Sequence, residues 1–152
     1  MTFSKSFGYA VRGILYIAVM QKEKRYVPVE EIAAKLYVPR HFMGKILKKM
    51  VKGKVLFSLK GPAGGFTINE DTLEVSLFRL VDLLDGQGLF RICTLGLKEC
   101  SPLNPCPMHY QMEAVNTKLK TILCDTTIRD LMRNNKTDFI NSLSANENRK
   151  VN

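Results

Sequence analysis

Four side chains in one stretch of this chain have the chemistry of metal ligands. Cys93, Cys100 and Cys106 are separated by six and five intervening residues, and His109 follows three positions beyond Cys106. Thiolates are soft donors suited to iron–sulfur clusters or zinc, and an imidazole fits a borderline fourth position. The gaps differ from the paired C-x-x-C of a zinc ribbon. Pro102, Pro105 and Pro107 give the segment loop character and bends that let distant cysteines converge. In a cytosolic protein such clustering argues against structural disulfides. Zinc and simple reduced thiols stay open as alternatives. Cys124, farther on, reads as a small buried hydrophobe rather than a ligand.

The second chemical feature is charge. The chain has 152 residues and a formal net charge of +9. Residues 1–60 carry 13 Lys+Arg against 3 Asp+Glu, and the remainder carries 10 against 11, so the excess belongs to the first part alone. Seven basic residues (Arg40, Lys45, Lys48, Lys49, Lys52, Lys54 and Lys60) occur between positions 40 and 60 with no acidic one among them. A polyanion or an anionic surface is the partner such a patch attracts.

These groups need elements to position them. Phe7, Ala10, Val11, Ile14, Leu15 and Ala18 follow helical spacing, which predicts an amphipathic helix over Ser4–Met20. Pro28 opens a second helix, with Glu30 and Glu31 placed favourably at its positive end, and Tyr37-Val38 ends it. Pro39 opens a third. Around that helix His41, Gly44, Lys45, Lys48 and Lys52 share one side, while Phe42, Met43, Ile46, Leu47 and Met50 share the other. Two short helices joined by a tight turn make a helix-turn-helix, whose second helix can enter a major groove. Val55, Phe57 and Leu59 then alternate with Leu56, Ser58 and Lys60, and Phe66-Thr67-Ile68 continues beyond Gly61-Pro62-Ala63-Gly64-Gly65. That is a β-hairpin, a wing with Lys60 at its tip. The glycine run lacks the G-x-x-x-x-G-K-[ST] pattern of a phosphate loop.

Leu77, Leu80, Val81 and Leu84 predict a further helix that Gly86 stops. Met112, Val115, Leu119 and Ile122 recur along a long helix from about Met108 to Cys124, the seam of a two-helix packing that a symmetric dimer supplies. Thr126 is placed to cap a last short helix holding Ile128, Leu131 and Met132. The expected fold is mostly α with a small β-hairpin: a winged helix-turn-helix domain (1–85), a cysteine-bearing sensor loop (86–107), a dimerisation helix with a short terminal helix (108–133), and a polar, flexible tail (134–152). No apolar run approaches the roughly 18 residues of a membrane span, so the expectation is a soluble cytoplasmic protein with no membrane partner. With two histidines and no nucleophile, base and oxyanion set, no enzyme and no small-molecule substrate are expected.

Tyr9-Ala10-Val11, the segment Phe42-Met43-Gly44-Lys45-Ile46-Leu47 and above all the wing sequence Lys60-Gly61-Pro62-Ala63-Gly64-Gly65-Phe66 carry a resemblance. In their order and spacing, over roughly Thr2 to Met132, the chain resembles the BadM/Rrf-type winged-helix transcription regulators, a family that includes IscR/NsrR-like iron–sulfur sensors. The resemblance implies a homodimeric, sequence-specific DNA-binding regulator, a repressor, whose operator affinity is controlled by an iron–sulfur cluster sensing cluster status, nitric oxide or redox state. It implies Cys93, Cys100, Cys106 and His109 as the cluster ligands, with 2Fe–2S favoured and 4Fe–4S the other option. Some relatives take the fourth ligand from a carboxylate near the partner's N-terminus, a position that Gly8 occupies here. The implied DNA contacts are Arg40, His41, Gly44, Lys45, Lys48, Lys52, Lys60, Gly61 and Gly64. A zinc-stabilised nucleic-acid-binding protein and a cluster-free thiol redox regulator are the competing readings.

Overall fold

A computed structural model describes residues 3–97 and 101–133. Helix α1 runs Lys5–Met20, and its N-cap Ser4 accepts a hydrogen bond from the Phe7 N–H at 3.1 Å. Its apolar stripe buries Ala10, Ile14, Tyr16 and Ile17 at the centre of the core. Helix α2 (Val29–Leu36) begins after Pro28 and stops at Tyr37, which takes the left-handed conformation (φ 54°, ψ 44°). That turn releases the chain into α3 (Arg40–Lys52), whose Met43, Ile46, Leu47 and Met50 are buried against α1 and α2. The sequence therefore places the helix-turn-helix correctly, because its proline starts and its apolar periodicity are local signals.

Strands β1 (Phe57–Leu59) and β2 (Gly65–Thr67) pair antiparallel, Ser58 opposite Phe66. The expected alternation along β1 fails. Val55 and Leu56 are both buried, whereas Phe57 and Leu59 are exposed. The strand is three residues long, and the chain before it is still turning out of α3, so period-two burial does not extend across the junction. Ile68 also lies beyond β2 rather than within it. The wing is tied to the helix-turn-helix by a reciprocal pair, Val27 N–H to Phe66 O at 2.9 Å and Phe66 N–H to Val27 O at 2.8 Å. Gly65, at φ 148°, permits this approach: a Cβ there would stand 2.5 Å from the Val27 carbonyl oxygen. Gly65→Ala should consequently lower stability by about 1–3 kcal/mol, the range for an enforced strained backbone, read as a lower denaturant midpoint at constant slope.

Past the wing comes a four-residue helix that periodicity did not signal, α4 (Glu70–Leu73), closed by a capping box in which Asn69 and Thr72 bond reciprocally. Thr72 also donates to the Val55 carbonyl at 2.8 Å. Helix α5 (Leu77–Leu84) sends Leu80 and Val81 into the core. Its end lies against the end of α3. A Cβ on Gly53 would meet Leu83 Cδ2 at 2.6 Å, and Lys49 donates to the Leu84 carbonyl at 3.2 Å. A 3-10 turn (Gln87–Arg91) follows, then α6 (His109–Asp125) and α7 (Ile128–Arg133).

The cap of α7 differs from expectation. Thr127, not Thr126, makes it: the Asp130 N–H donates to Thr127 Oγ1 at 3.2 Å while the Asp130 carboxylate accepts from the Thr127 N–H at 2.9 Å. Thr126 is instead taken by α5, its carbonyl accepting from the Leu77 N–H at 2.9 Å. Cys124 is likewise exposed rather than buried, because Leu123, its neighbour, holds the inward position on α6. The tail at 134–152 lies outside the described residues.

Candidate DNA-reading face and thiol site

Helix α3 buries one side and exposes the other. Arg40, His41, Lys45, Lys48 and Lys52 are exposed, and Gly44 is half-buried with Val29 Cγ2 in ordinary contact range at 3.9 Å of a notional Cβ. Lys60 and Gly61 stand exposed at the wing, where Gly61 adopts φ 107°. Gly64 makes the tip tight, since any Cβ would lie 2.1 Å from the Leu59 carbonyl oxygen. Helix α3 and the hairpin thus both expose cations, and the hairpin turns are ones that glycine fits.

Two of these cations are engaged from within. Lys49, part of the basic run, bonds the Leu84 carbonyl. Arg40 donates through Nε to Glu30 Oε1 at 2.7 Å, and its Nη2 lies 2.6 Å from the same oxygen. Glu30 was legible only as a helix-terminal charge, and nothing in local spacing announces its reach to α3. Its own backbone N–H and the Arg40 guanidinium hold its carboxyl below the usual range. Glu31, adjacent, faces the other way: although burial pushes it up, bonds from Lys24 and from the Tyr16 hydroxyl hold its carboxyl below the usual range.

Lys45 and Lys48 are exposed on α3, where the sequence reading expects phosphate contacts. Replacing both with Ala should lower the slope of log affinity against log salt by roughly two contacts' worth, at about 0.9 per phosphate. A slope equal to that of the unmodified protein would remove α3 from the interface.

The loop places Cys93 and Cys106 together. Cys93 is 5% exposed. Its thiol is held below the ordinary range by the backbone N–H groups of Leu97 and Leu95; burial opposes this, and the Cys106 thiol and the Gly96 N–H add to it. Backbone amides grouped around a thiol resemble the anion-holding nests found at iron–sulfur sites. Gly96 makes the turn possible, with φ 74° and its N–H donating to the Cys93 carbonyl at 3.0 Å. The amides of residues 95–97 are functional groups that composition does not reveal, although the local sequence Cys-Thr-Leu-Gly is a turn signal.

Cys100 lies outside the described residues. His109 is buried (4% exposed) at the start of α6, with its N–H bonded to the Cys106 carbonyl at 2.9 Å. Its Nε2 is 4.0 Å from Glu113 Oε2, beside a cavity of about 220 Å³ lined also by Phe90, Arg91, Asn116 and Lys120. Among the described residues no three His, Cys, Asp or Glu side chains converge as a metal site. Two of the four expected ligands are therefore brought together, and His109 is held next to them in the chain but not grouped with them. The donors present still fit an iron–sulfur group, because the Cys93 thiol has the Cys106 thiol as a hydrogen-bonding neighbour and the Leu95 and Leu97 amides beside it favour thiolate.

A winged helix with a cationic reading face and a thiol-bearing loop defines a DNA-binding regulator. Residues 3–134 match the Rrf2 family, described as an iron-dependent transcriptional regulator, and the chain belongs to that family. It is 31% identical over 134 residues to an Aquifex aeolicus protein named as an HTH-type transcriptional regulator, covering 87% of this chain and 92% of that one. It is 22% identical over 128 residues to the HTH-type transcriptional regulator IscR of Vibrio atlanticus, covering 84% and 73%. Among solved structures it is similar to CymR, the global cysteine regulator of B. subtilis, with TM-score 0.71, 15% identity, and 90% and 99% of the two chains covered. The mostly helical fold with a small antiparallel wing agrees with the sequence expectation. No helix among the described residues is long and apolar enough to cross a membrane.

Proposed function

We propose that this transcriptional regulator is a homodimeric repressor that reads operator DNA with α3 and the wing, and that residues 86–107 form its sensor loop. The ligands of an iron–sulfur cluster there would be Cys93, Cys100 and Cys106, with His109 fourth. The observation that carries the reading is the contact of the Cys93 and Cys106 thiols within the amides of Leu95, Gly96 and Leu97. The cluster, 2Fe–2S in preference to 4Fe–4S, would supply a centre whose loss or modification changes the charge of the loop.

The chain's own residues do the remainder. Amides at 95–97 favour thiolate at Cys93, the buried His109 ring is held at the foot of α6, and α3 offers Lys45 and Lys48 to phosphate while Arg40 and His41 reach base edges. Val115 and Ile122 are 54% and 51% exposed on one side of α6, and with Met112 and Leu119 they make the seam that a second copy would cover. The same thiol contact favours one other reading, a cluster-free thiol regulator in which Cys93 and Cys106 form a disulfide. Protein purified without oxygen separates the two. Visible absorption with matching iron and sulfide supports the cluster; colourless protein that loses two titratable thiols on mild peroxide treatment supports the disulfide.

A further inference from the structure

Glu30 is out of place on a surface built to meet phosphates. Between positions 26 and 60 the chain has two acidic residues, Glu30 and Glu31. Glu31 is taken up by Tyr16 (2.8 Å) and Lys24 (2.6 Å), away from the reading face. Glu30 projects from the first turn of α2, with its side chain 60% exposed, and crosses the turn to the first residue of α3. A carboxylate at a helix N-terminus is stabilised by the helix dipole wherever it points. The dipole does not account for its grip on Arg40.

That grip has a defined geometry. Both the Nε and Nη2 groups of Arg40 lie on Glu30 Oε1, at 2.7 and 2.6 Å. A guanidinium has five N–H donors in a rigid fork. With the Nε side occupied, the donors left are on the outer Nη1/Nη2 edge. This edge makes the bidentate contact with O6 and N7 of guanine in the major groove. The carboxylate also offsets the positive charge that would otherwise draw Arg40 to the nearest phosphate.

We propose that Glu30 is a specificity-determining positioning residue, which aims the outer edge of Arg40 at a guanine in the operator. This rests on the DNA-reading function proposed above. Glu30 acts through Arg40, so removing it should harm discrimination between sequences more than affinity in general.

The test starts with selection of preferred sites from a random duplex library by the unmodified full chain. Affinities of that chain, Glu30→Ala, Glu30→Gln, Arg40→Ala and Glu30→Ala/Arg40→Ala are then measured for the selected site and a scrambled duplex. Glu30→Ala should lose about tenfold in the ratio of selected to scrambled affinity, within the range of one bidentate base contact. Its affinity for scrambled DNA should hold or rise. Glu30→Gln, which keeps an oxygen acceptor, should retain most of the ratio, and the double variant should match Arg40→Ala. An unchanged ratio in Glu30→Ala, or a Glu30→Gln that behaves like Glu30→Ala, would overturn the positioning role and leave DNA reading intact. A persisting effect of Glu30→Ala in the Arg40→Ala background overturns it too. Failure of the unmodified chain to enrich any sequence overturns the DNA-reading function, and this inference with it.

Discussion

Cys93→Ala, purified without oxygen, should be colourless and hold no stoichiometric iron or sulfide, yet melt close to the unmodified protein and still bind DNA. The site depends on Cys93 twice. It would supply one thiolate, and its thiol is the group beside which the Leu95 and Leu97 amides and the Cys106 thiol lie. Without it those donors lose their acceptor. The winged helix has a core of its own, built from Ile14, Ile17, Ile32, Met43, Leu47 and Leu80, and Cys93 is not part of it. His109→Ala should do less, giving poorer assembly or a shifted spectrum, because an imidazole binds iron less firmly than thiolates and its place can be taken by water. An iron content in Cys93→Ala equal to that of the unmodified protein would move the cluster away from this loop.

The second large effect concerns assembly. Val115→Glu/Ile122→Glu should turn a dimer into a folded monomer, detected by sedimentation, and abolish tight binding to a two-armed operator. Both side chains are more than half exposed in the single chain, at 54% and 51%, so charges there leave its own fold undisturbed. Buried unpaired in an interface, a charge costs about 3–5 kcal/mol, or roughly two to four powers of ten in the dissociation constant. Leu119 makes a poorer probe, since it packs partly against the chain's own core. Leu119→Glu should lower the melting temperature as well as weaken association. A double variant that sediments as the unmodified dimer would place the interface elsewhere.

How much of this was legible depended on the range of the interaction. Ser4, Pro28 and Pro39 set helix starts within a turn, and Gly64-Gly65 set the wing, because caps and tight turns are chosen by neighbouring residues. The exposure of Phe57 and Leu59 was not legible, since it depends on what packs over a three-residue strand. The seam on α6 illustrates the same limit. Its four positions share a spacing, but Leu119 turns toward the chain's own core while Val115 and Ile122 face out. For the thiol site the sequence named the sulfurs and missed what surrounds them. Backbone amides carry no residue signature, and only Gly96 hinted at the turn that aims them. Glu30 was read as a helix-end charge because its partner lies ten positions away, across the turn in which Tyr37 takes the left-handed conformation.

The junction of α3 with α5 has a consequence for signalling. Gly53 lies against Leu83, Lys49 bonds the Leu84 carbonyl, and the wing is pinned to residue 27, so the ends of α3 and α5 are tied together and the wing is tied to the start of α2. On the proposed function, an event in the loop that follows α5 meets elements already tied to one another, and the expected response is movement of the head as a unit rather than a reshaping of its surface. In the proposed dimer that response moves one head relative to the other. A molecule of that kind would work as a calliper: the signal would set the span and helical phase between two heads, against a groove that returns every ~10 base pairs. Operators with identical arms and spacers altered by one or two base pairs should then separate the loop's states, while changes within an arm should weaken every state alike.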